Sequence, residues 1–354
     1  LTSRFPKLVF NFENLSYISS AGLRVMLKFR KLDSELKIID VCSDVYEVFE
    51  TTGFTEIITV ERSYKKMDVT GCKIIGKGAK GTVYRYDSDT VLKVYNDVNS
   101  ISAIKNEREL AKKAFILGIP TAISFGIVKV GDKYGAIYEL IDADSFSETI
   151  AKDSSKTDEF SKMFADMLLL IHSTDVGSDL PNAKIKYDIY WCSSLNKVVD
   201  EPTFRKVERL LEKIPSPKKM LHCDYHTNNI MLQNGEPIVI DMDTLSYGHP
   251  IYDLGSICFT YHTQPMFDPG SAESFLNMNS ETIAKVWEAF IKQYLKNYGK
   301  ETAEIIKNKI ICFSYLRLIN HLVRRSEDPR NDPKITKVVN EFIKSLDTID
   351  SFAW

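Results

Sequence analysis

The sequence predicts an α+β chain in two parts: a small α/β unit, then a larger body in which a small antiparallel-sheet lobe precedes a mainly helical lobe. Three observations predict it. Residues 1–62 alternate strand and helix patterns. Residues 69–141 carry short β-branched runs broken by glycine around a single helical stretch. Beyond Asp142 the apolar residues recur mostly at helical spacing. A chain of 354 residues is long enough for two or three compact units.

In the first unit, Lys7–Phe12 alternates like a strand, and Ser20 can cap a helix carrying Leu23, Met26, Leu27 and Phe29. Leu36–Val41 reads as a buried strand. Asp44 can cap a short helix closed by Gly53, and Glu56–Val60 reads as a further strand. Glu61–Asp68 is polar and charged, so a linker over residues 63–68 is expected before the larger body. The sheet lobe covers 69–141, with a helix from about Ile101 to Leu117 ended by Gly118 and Pro120. The helical lobe covers 142–354, with helices over 158–172, 203–214, 281–298 and 301–325 around a strand-rich island at 220–244.

Composition narrows the function classes. A chain 44% hydrophobic and 27% charged, with net charge −2, has the balance of a soluble globular protein. It lacks the basic excess that nucleic-acid or membrane partners usually require, so neither is expected. The longest apolar run, Met167–Ile171, falls far short of the roughly 20 residues of a membrane span. No secretory leader pattern is present, and an opening at Leu1 without methionine leads us to expect a start further upstream. The six cysteines are scattered without a C-x-x-C pair, so free thiols in a reducing cytoplasm are expected, not a disulfide framework or zinc site.

Three motifs carry chemistry. Gly76, Gly78 and Gly81 fit G-x-G-x-x-G, and the run Thr82–Tyr86 after them favours a strand. A dinucleotide site needs a helix there, whereas a strand–glycine turn–strand suits the phosphates of ATP. Lys93 lies inside the apolar run Val91–Tyr95, where its charge can offset the α- and β-phosphates. Glu107 or Glu109 on the next helix can orient it, with Glu107 preferred. The third motif is Leu221–Ile230, LHCDYHTNNI, followed by Ile238–Asp243, IVIDMD. Polar residues crowded between two apolar runs make a poor core and a suitable site. Phosphoryl transfer needs one carboxylate for the acceptor hydroxyl, plus an amide oxygen and a second carboxylate for magnesium. Asp224, Asn229 and Asp241 have the spacing for those roles in that order.

With these residues in view, 69–354 resembles the aminoglycoside phosphotransferase and choline kinase superfamily. Those enzymes carry His-Gly-Asp-x-His-x-x-Asn and Ile-Asp-x-Asp/Glu; here the loop reads HCDYHTNN, with Cys223 in the glycine position. The resemblance implies a bilobal protein-kinase-like fold and a hinge at Glu139–Ile141 that binds adenine through its backbone. It also implies that Asp253, in HPIYDL, braces the catalytic loop, and that His172 and His222 serve as structural hydrogen-bonding residues. Residues 1–62 resemble the STAS domain of bacterial anti-sigma factor antagonists through YISSAGLRV (Tyr17–Val25) and VYEVFETTGF (Val45–Phe54). Aligned on Gly22, Ala21 occupies that family's phosphoserine position, and the family's N-terminal strands are absent. A sheet edge able to pair with a protein partner or a second copy is therefore expected.

Together these readings give an ATP- and Mg2+-dependent phosphotransferase that moves the γ-phosphoryl group to a small-molecule hydroxyl and is fused to a STAS-like module. A protein kinase acting on that module (in cis, where fusion raises its effective concentration) or on the module's partner, and a non-catalytic nucleotide sensor, are the alternatives. A cationic acceptor would call for acidic pocket residues, for which Asp268, Glu273 and Glu281 are the candidates.

Overall fold

The computed structural model describes residues 7–177 and 179–354. They form two compact units: one runs up to Ile104 and takes in Phe125–Tyr138, and the other comprises Lys105–Ser124 and Glu139–Trp354. Among the described residues, no helix is long and apolar enough to cross a membrane.

The first unit opens with strands β1 (Val9–Asn11), β2 (Lys37–Val41) and β3 (Thr59–Arg62), joined by helices α1 (Ser20–Leu32) and α2 (Ser43–Thr51). The three strands pair in parallel in that order. Their apolar faces meet α1 and α2 in a core of Ile38, Val41, Val45, Phe49 and Phe54. Three local expectations are corrected. Ser19, not Ser20, caps α1 by accepting from the Gly22 N–H, and Ser20 is an exposed first-turn residue. Cys42 precedes α2 without a side-chain cap, and Asp44 lies within its first turn. The final strand begins at Thr59, because Gly53 in a left-handed conformation starts a short 3-10 turn that buries Phe54 against Phe49.

The stretch expected as a linker supplies strand backbone. After β3, strand β4 (Lys65–Lys66) joins a sheet formed with β5 (Lys73–Lys77), β6 (Gly81–Arg85), β7 (Thr90–Tyr95), β8 (Ser124–Val130) and β9 (Lys133–Glu139). The order is β4-β8-β9-β7-β6-β5. β5, β6 and β7 are antiparallel, but β4 lies parallel to β8, so this sheet is mixed and not purely antiparallel. Two exposed lysines make β4 a short, charged edge, a form that resists pairing with further strands.

Helix α3 (Ile101–Ile116) ends near Gly118, whose φ of 88° suits a residue without a Cβ. The second unit then continues through α4 (Phe146–Lys152), α5 (Thr157–Ser173), α6 (Ala183–Cys192) and α7 (Glu201–Glu212). Two short antiparallel pairs follow, β10 (Met220–Leu221) with β13 (Ser246–Tyr247), and β11 (Ile230–Gln233) with β12 (Glu236–Val239). The remaining helices are α8 (Ile251–Cys258), α9 (Gln264–Phe267), α10 (Pro269–Leu276), α11 (Ser280–Tyr294), α12 (Lys300–Val323) and α13 (Pro333–Leu346), with a π-helical turn at Phe259–Thr263. Asp200 and Asn279 cap α7 and α11 by accepting from the N–H three residues on. The six cysteines are free thiols, and burial raises Cys258 and Cys312 to about 12.

Candidate active site

In the second unit, the segment between β10 and β11 is held from behind by one buried carboxylate. Asp253, on α8, is fully buried and accepts from the backbone N–H groups of His222 (2.9 Å) and Cys223 (2.6 Å). It also accepts from Nε2 of His172 (3.0 Å), whose Nδ1 faces the Tyr294 hydroxyl at 2.7 Å. Burial by itself would raise the Asp253 pKa, but the hydrogen bond and charge of His172, helped by the His222 N–H, hold it below the ordinary carboxylate value. His222 is fully buried as well. Its Nδ1 accepts from the Asp224 N–H (3.2 Å) and its Nε2 faces the Ile240 carbonyl (3.3 Å). His172 and His222 thus act as hydrogen-bonding structure.

This bracing fixes an uncommon backbone. Cys223 has φ 66°, a left-handed value that costs any residue with a Cβ and that glycine adopts freely. Tyr225 stacks on Phe164 at 4.7 Å and donates to the Phe164 carbonyl, which pins the next residue inward. Between these anchors Asp224 faces outward, with its side chain 40% exposed. His226 Nε2 lies 3.9 Å from the Asp224 carboxylate and 3.3 Å from the Asn229 amide nitrogen. Burial pushes His226 down to about 4 against the pull of Asp224, so its ring is neutral near pH 7. The Asn229 amide nitrogen also donates to the Asp224 carbonyl (3.0 Å), which commits the nitrogen to the loop and leaves the side-chain oxygen for another partner.

Asp241 follows β12, also in a left-handed conformation (φ 61°). Its carboxylate lies within 4.8 Å of those of Glu107, on α3, and Asp243. Glu107 is buried and the other two are half-buried. Three carboxylates this close, beside an asparagine-bearing loop, fit the oxygen-donor set of a hard divalent cation. Glu109, the other glutamate considered, is exposed and lines a separate groove with Lys112 and Lys113. Glu139 ends β9 and its N–H donates to the Ile123 carbonyl (2.9 Å); Ile141, two residues on, is half-buried.

The other candidates lie in the first unit. Gly76 sits at a register shift between β5 and β6, and Gly78 donates to the Gly81 carbonyl (2.9 Å) across the hairpin. Asn96 clamps the turn, its backbone N–H on the Lys80 carbonyl and its side chain on that of Ala79. Gly81 is required by close approach, because a Cβ there would run into the Val94 carbonyl of β7. Lys93 stands half-buried on β7, with Nζ 5.2 Å from the centre of the Tyr95 ring.

Beside Asp224 opens a cavity of about 240 Å3, lined also by His226, Gln264, Phe275, Arg317 and His321. The acidic candidates are not among the residues lining this wall, although Asp268 is close enough to act on the charge of His321. Asp268 pairs with Lys334 (3.1 Å), Glu273 accepts from the Ser280 N–H (2.8 Å), and Glu281 pairs with Lys285 (2.6 Å). Sequence reading missed Arg317 and the third carboxylate, Asp243. Arg317 did leave a signal, a lone cation inside the apolar run Ile310–Ile319.

Comparison with known proteins bears on the family and the fold. A family model described as a phosphotransferase enzyme family matches residues 71–290. Among solved structures, a thermostable mutant of aminoglycoside phosphotransferase APH(4)-Ia in ternary complex with ADP and hygromycin B gives a TM-score of 0.53 at 12% identity, covering 85% of this chain and 97% of that one. The apo form of a thermostable mutant of the same enzyme gives 0.50 at 12% identity, with the same coverage. At this identity the likeness shows the fold, which is kinase-like. The N-terminal part matches BtrV of Bordetella bronchiseptica (strain ATCC BAA-588 / NCTC 13252 / RB50), a protein assigned as an anti-sigma factor antagonist, at 41% identity over 61 residues. That match takes in 16% of this chain and 53% of the relative, so the chain spans about half the length of the curated protein it resembles.

Proposed function

The chain belongs to the phosphotransferase enzyme family, and from that premise we propose that it moves the γ-phosphoryl group of ATP to a hydroxyl on a small molecule. The observation that carries this reading is the placement of Asp224: half-exposed at the mouth of a cavity, on a loop whose backbone is fixed by the buried Asp253. Asp224 is assigned as the group that orients the acceptor hydroxyl and takes its proton. The hydroxyl oxygen attacks the γ-phosphorus, the bond to the β–γ bridging oxygen breaks, and ADP departs with that electron pair. His226 is neutral beside Asp224, so the cation that acts on this carboxylate is Arg317, on the same cavity wall.

The remaining roles are assigned on the same basis. Gly76, Gly78 and Gly81 let the β5–β6 backbone approach phosphate oxygens, and Lys93 offsets the charge on the α- and β-phosphates. Glu139 and Ile141 offer backbone groups to adenine. Asn229 and Asp241 would hold Mg2+, with Asp243 and Glu107 near enough to contribute or to orient the set. The ion, when bound, supplies positive charge against the phosphate oxygens. Glu107 is also the assigned partner of Lys93.

By domain, we assign residues 1–62 to a STAS-like module, 63–68 to a connector that lends strand β4 to the following sheet, 69–141 to the sheet lobe and 142–354 to the helical lobe. The BtrV likeness supports the module's identity, and its role would be to bind a protein partner or a second copy. A cytoplasmic location suits six free thiols and an ATP-dependent reaction. The test is to incubate the purified full chain with Mg-ATP and a panel of hydroxyl metabolites, then to follow ADP release and product mass. A phosphorylated small molecule supports the proposal. Phosphate found only on the protein would replace it with a protein kinase, and nucleotide binding without turnover would replace it with a sensor.

A further inference from the structure

The cavity beside Asp224 is poor in negative charge. Among its described lining residues Asp224 is the one carboxylate, and the proposed chemistry already uses it. Opposite in sign stands Arg317, half-buried in the middle of α12, its guanidinium carbon 4.7 Å from the centre of the Phe259 ring. Among the described residues no hydrogen bond or ion pair engages that guanidinium. An arginine stays charged in any protein environment; burial disfavours this charge and the Asp224 carboxylate offsets it only through space, without a bond, so a directly bound anion would offset the remaining desolvation cost. His321 adds to the donor wall: its Nδ1 faces the Arg325 guanidinium at 2.8 Å, which leaves the proton on Nε2. The acids that a polyamine acceptor would need, Asp268, Glu273 and Glu281, are engaged with Lys334, the start of α11 and Lys285.

We propose that the acceptor is an anionic hydroxyl compound, its carboxylate or phosphate group held by Arg317 while its hydroxyl meets Asp224. The inference rests on the phosphotransferase reading and adds the acceptor's charge class to it. Phe259 covers one face of the guanidinium, so the edge remains for the paired N–H···O contacts that arginine makes to carboxylates and phosphates. An acceptor with an amine in that position would set two cations together with no free carboxylate to separate them.

The test uses the full chain saturated with magnesium and a non-hydrolysable ATP analogue, which fills the nucleotide site so that added anions do not enter it. Binding is measured for two matched series. One is glycerol, glycerate, glycerol 3-phosphate and serinol; the other is glucose, gluconate, glucose 6-phosphate and glucosamine. In at least one series an acid should bind at least about tenfold more tightly than its neutral and cationic counterparts. Which acid wins distinguishes a carboxylate from a phosphate. Arg317→Gln should lose that preference, with an affinity loss of about 30-fold or more for the acid alone, and Arg317→Lys should keep part of it. Should Arg317→Gln fail to fold, the Lys variant carries the comparison. The inference is overturned if the acids bind no better than their counterparts, or if the variants bind them as wild type does. Failure of the wild-type chain to bind the nucleotide analogue would instead count against the phosphotransferase reading.

Discussion

Replacing Asp253 by asparagine tests how the loop that carries Asp224 is held. The wild-type carboxylate takes three donors in a fully buried place: the His222 and Cys223 N–H groups and His172 Nε2. An asparagine of the same size keeps one oxygen but turns an NH2 toward a donor. At least one buried N–H is then orphaned, at about 1–3 kcal/mol, and the surviving bonds lose their charge assistance, worth about a further 1–2 kcal/mol. Asp253→Asn should therefore lower the unfolding free energy by about 2–5 kcal/mol at pH 7, overlapping the range of about 3–5 kcal/mol seen when a buried charge partner is removed. Equilibrium denaturation in urea, with the slope checked for two-state behaviour, measures it. Because the folded carboxyl is held below its ordinary value, its contribution is present above the unfolded pKa of about 3.9 and is lost as pH falls below that. The gap between variant and wild type should accordingly narrow below about pH 4. A loss under about 1 kcal/mol at pH 7 would show that the loop is not held by this carboxylate.

Three further expectations follow from single positions. At Cys223, with φ 66°, glycine should be more stable than alanine by roughly 1 kcal/mol, reversing the usual order, because both remove the thiol and only alanine keeps the Cβ cost; thermal unfolding of the two variants decides it. His249 is buried near His172 and Lys309 and lowered to about 4, so it is neutral in the fold and charged in the unfolded chain below about 6.5. Its stabilisation is full above pH 6.5 and is lost as pH falls toward 4, and His249→Asn, which keeps an acceptor for the Ile251 N–H, should flatten the unfolding midpoint over that window. Lys93→Met should leave the unfolding midpoint within about 1 kcal/mol of wild type yet reduce ATP turnover by about 100-fold or more, whereas a solvent-facing lysine would leave the kinetics unchanged.

Much of this molecule was legible because its chemistry is local in sequence. The glycine hairpin, Lys93 and the HCDYHTNN loop each announce themselves by polar or glycine residues placed where apolar strand residues would otherwise stand. Long helices such as α5, α11 and α12 follow from apolar spacing, since a 3.6-residue period sustained over several turns lines up one face of a helix and scatters across both faces of a strand. What escaped depends on contacts distant in sequence. The Lys65–Lys66 strand looks like linker because an edge strand of two charged residues has no apolar pattern to display. Ser19 and Ser20 are equally good caps by residue type, and only the backbone angles choose between them. The Glu107–Asp241–Asp243 grouping joins an α3 residue to a turn over 130 positions later. Arg317 lies about ninety residues beyond Asp224, on a helix whose apolar spacing fixes its presence but not what its one arginine faces.

The central claim is phosphoryl transfer centred on Asp224, and a single comparison tests it most directly. Wild-type and Asp224→Asn chains are each given γ-labelled ATP, magnesium and the best acceptor from the panel, while nucleotide affinity is measured in parallel. The amide keeps the size of the side chain but cannot take a proton. Wild type should transfer label to the acceptor. Asp224→Asn should bind ATP within a few-fold of wild type and transfer at least about 1000-fold more slowly. Near-normal transfer by Asp224→Asn would contradict the mechanism outright.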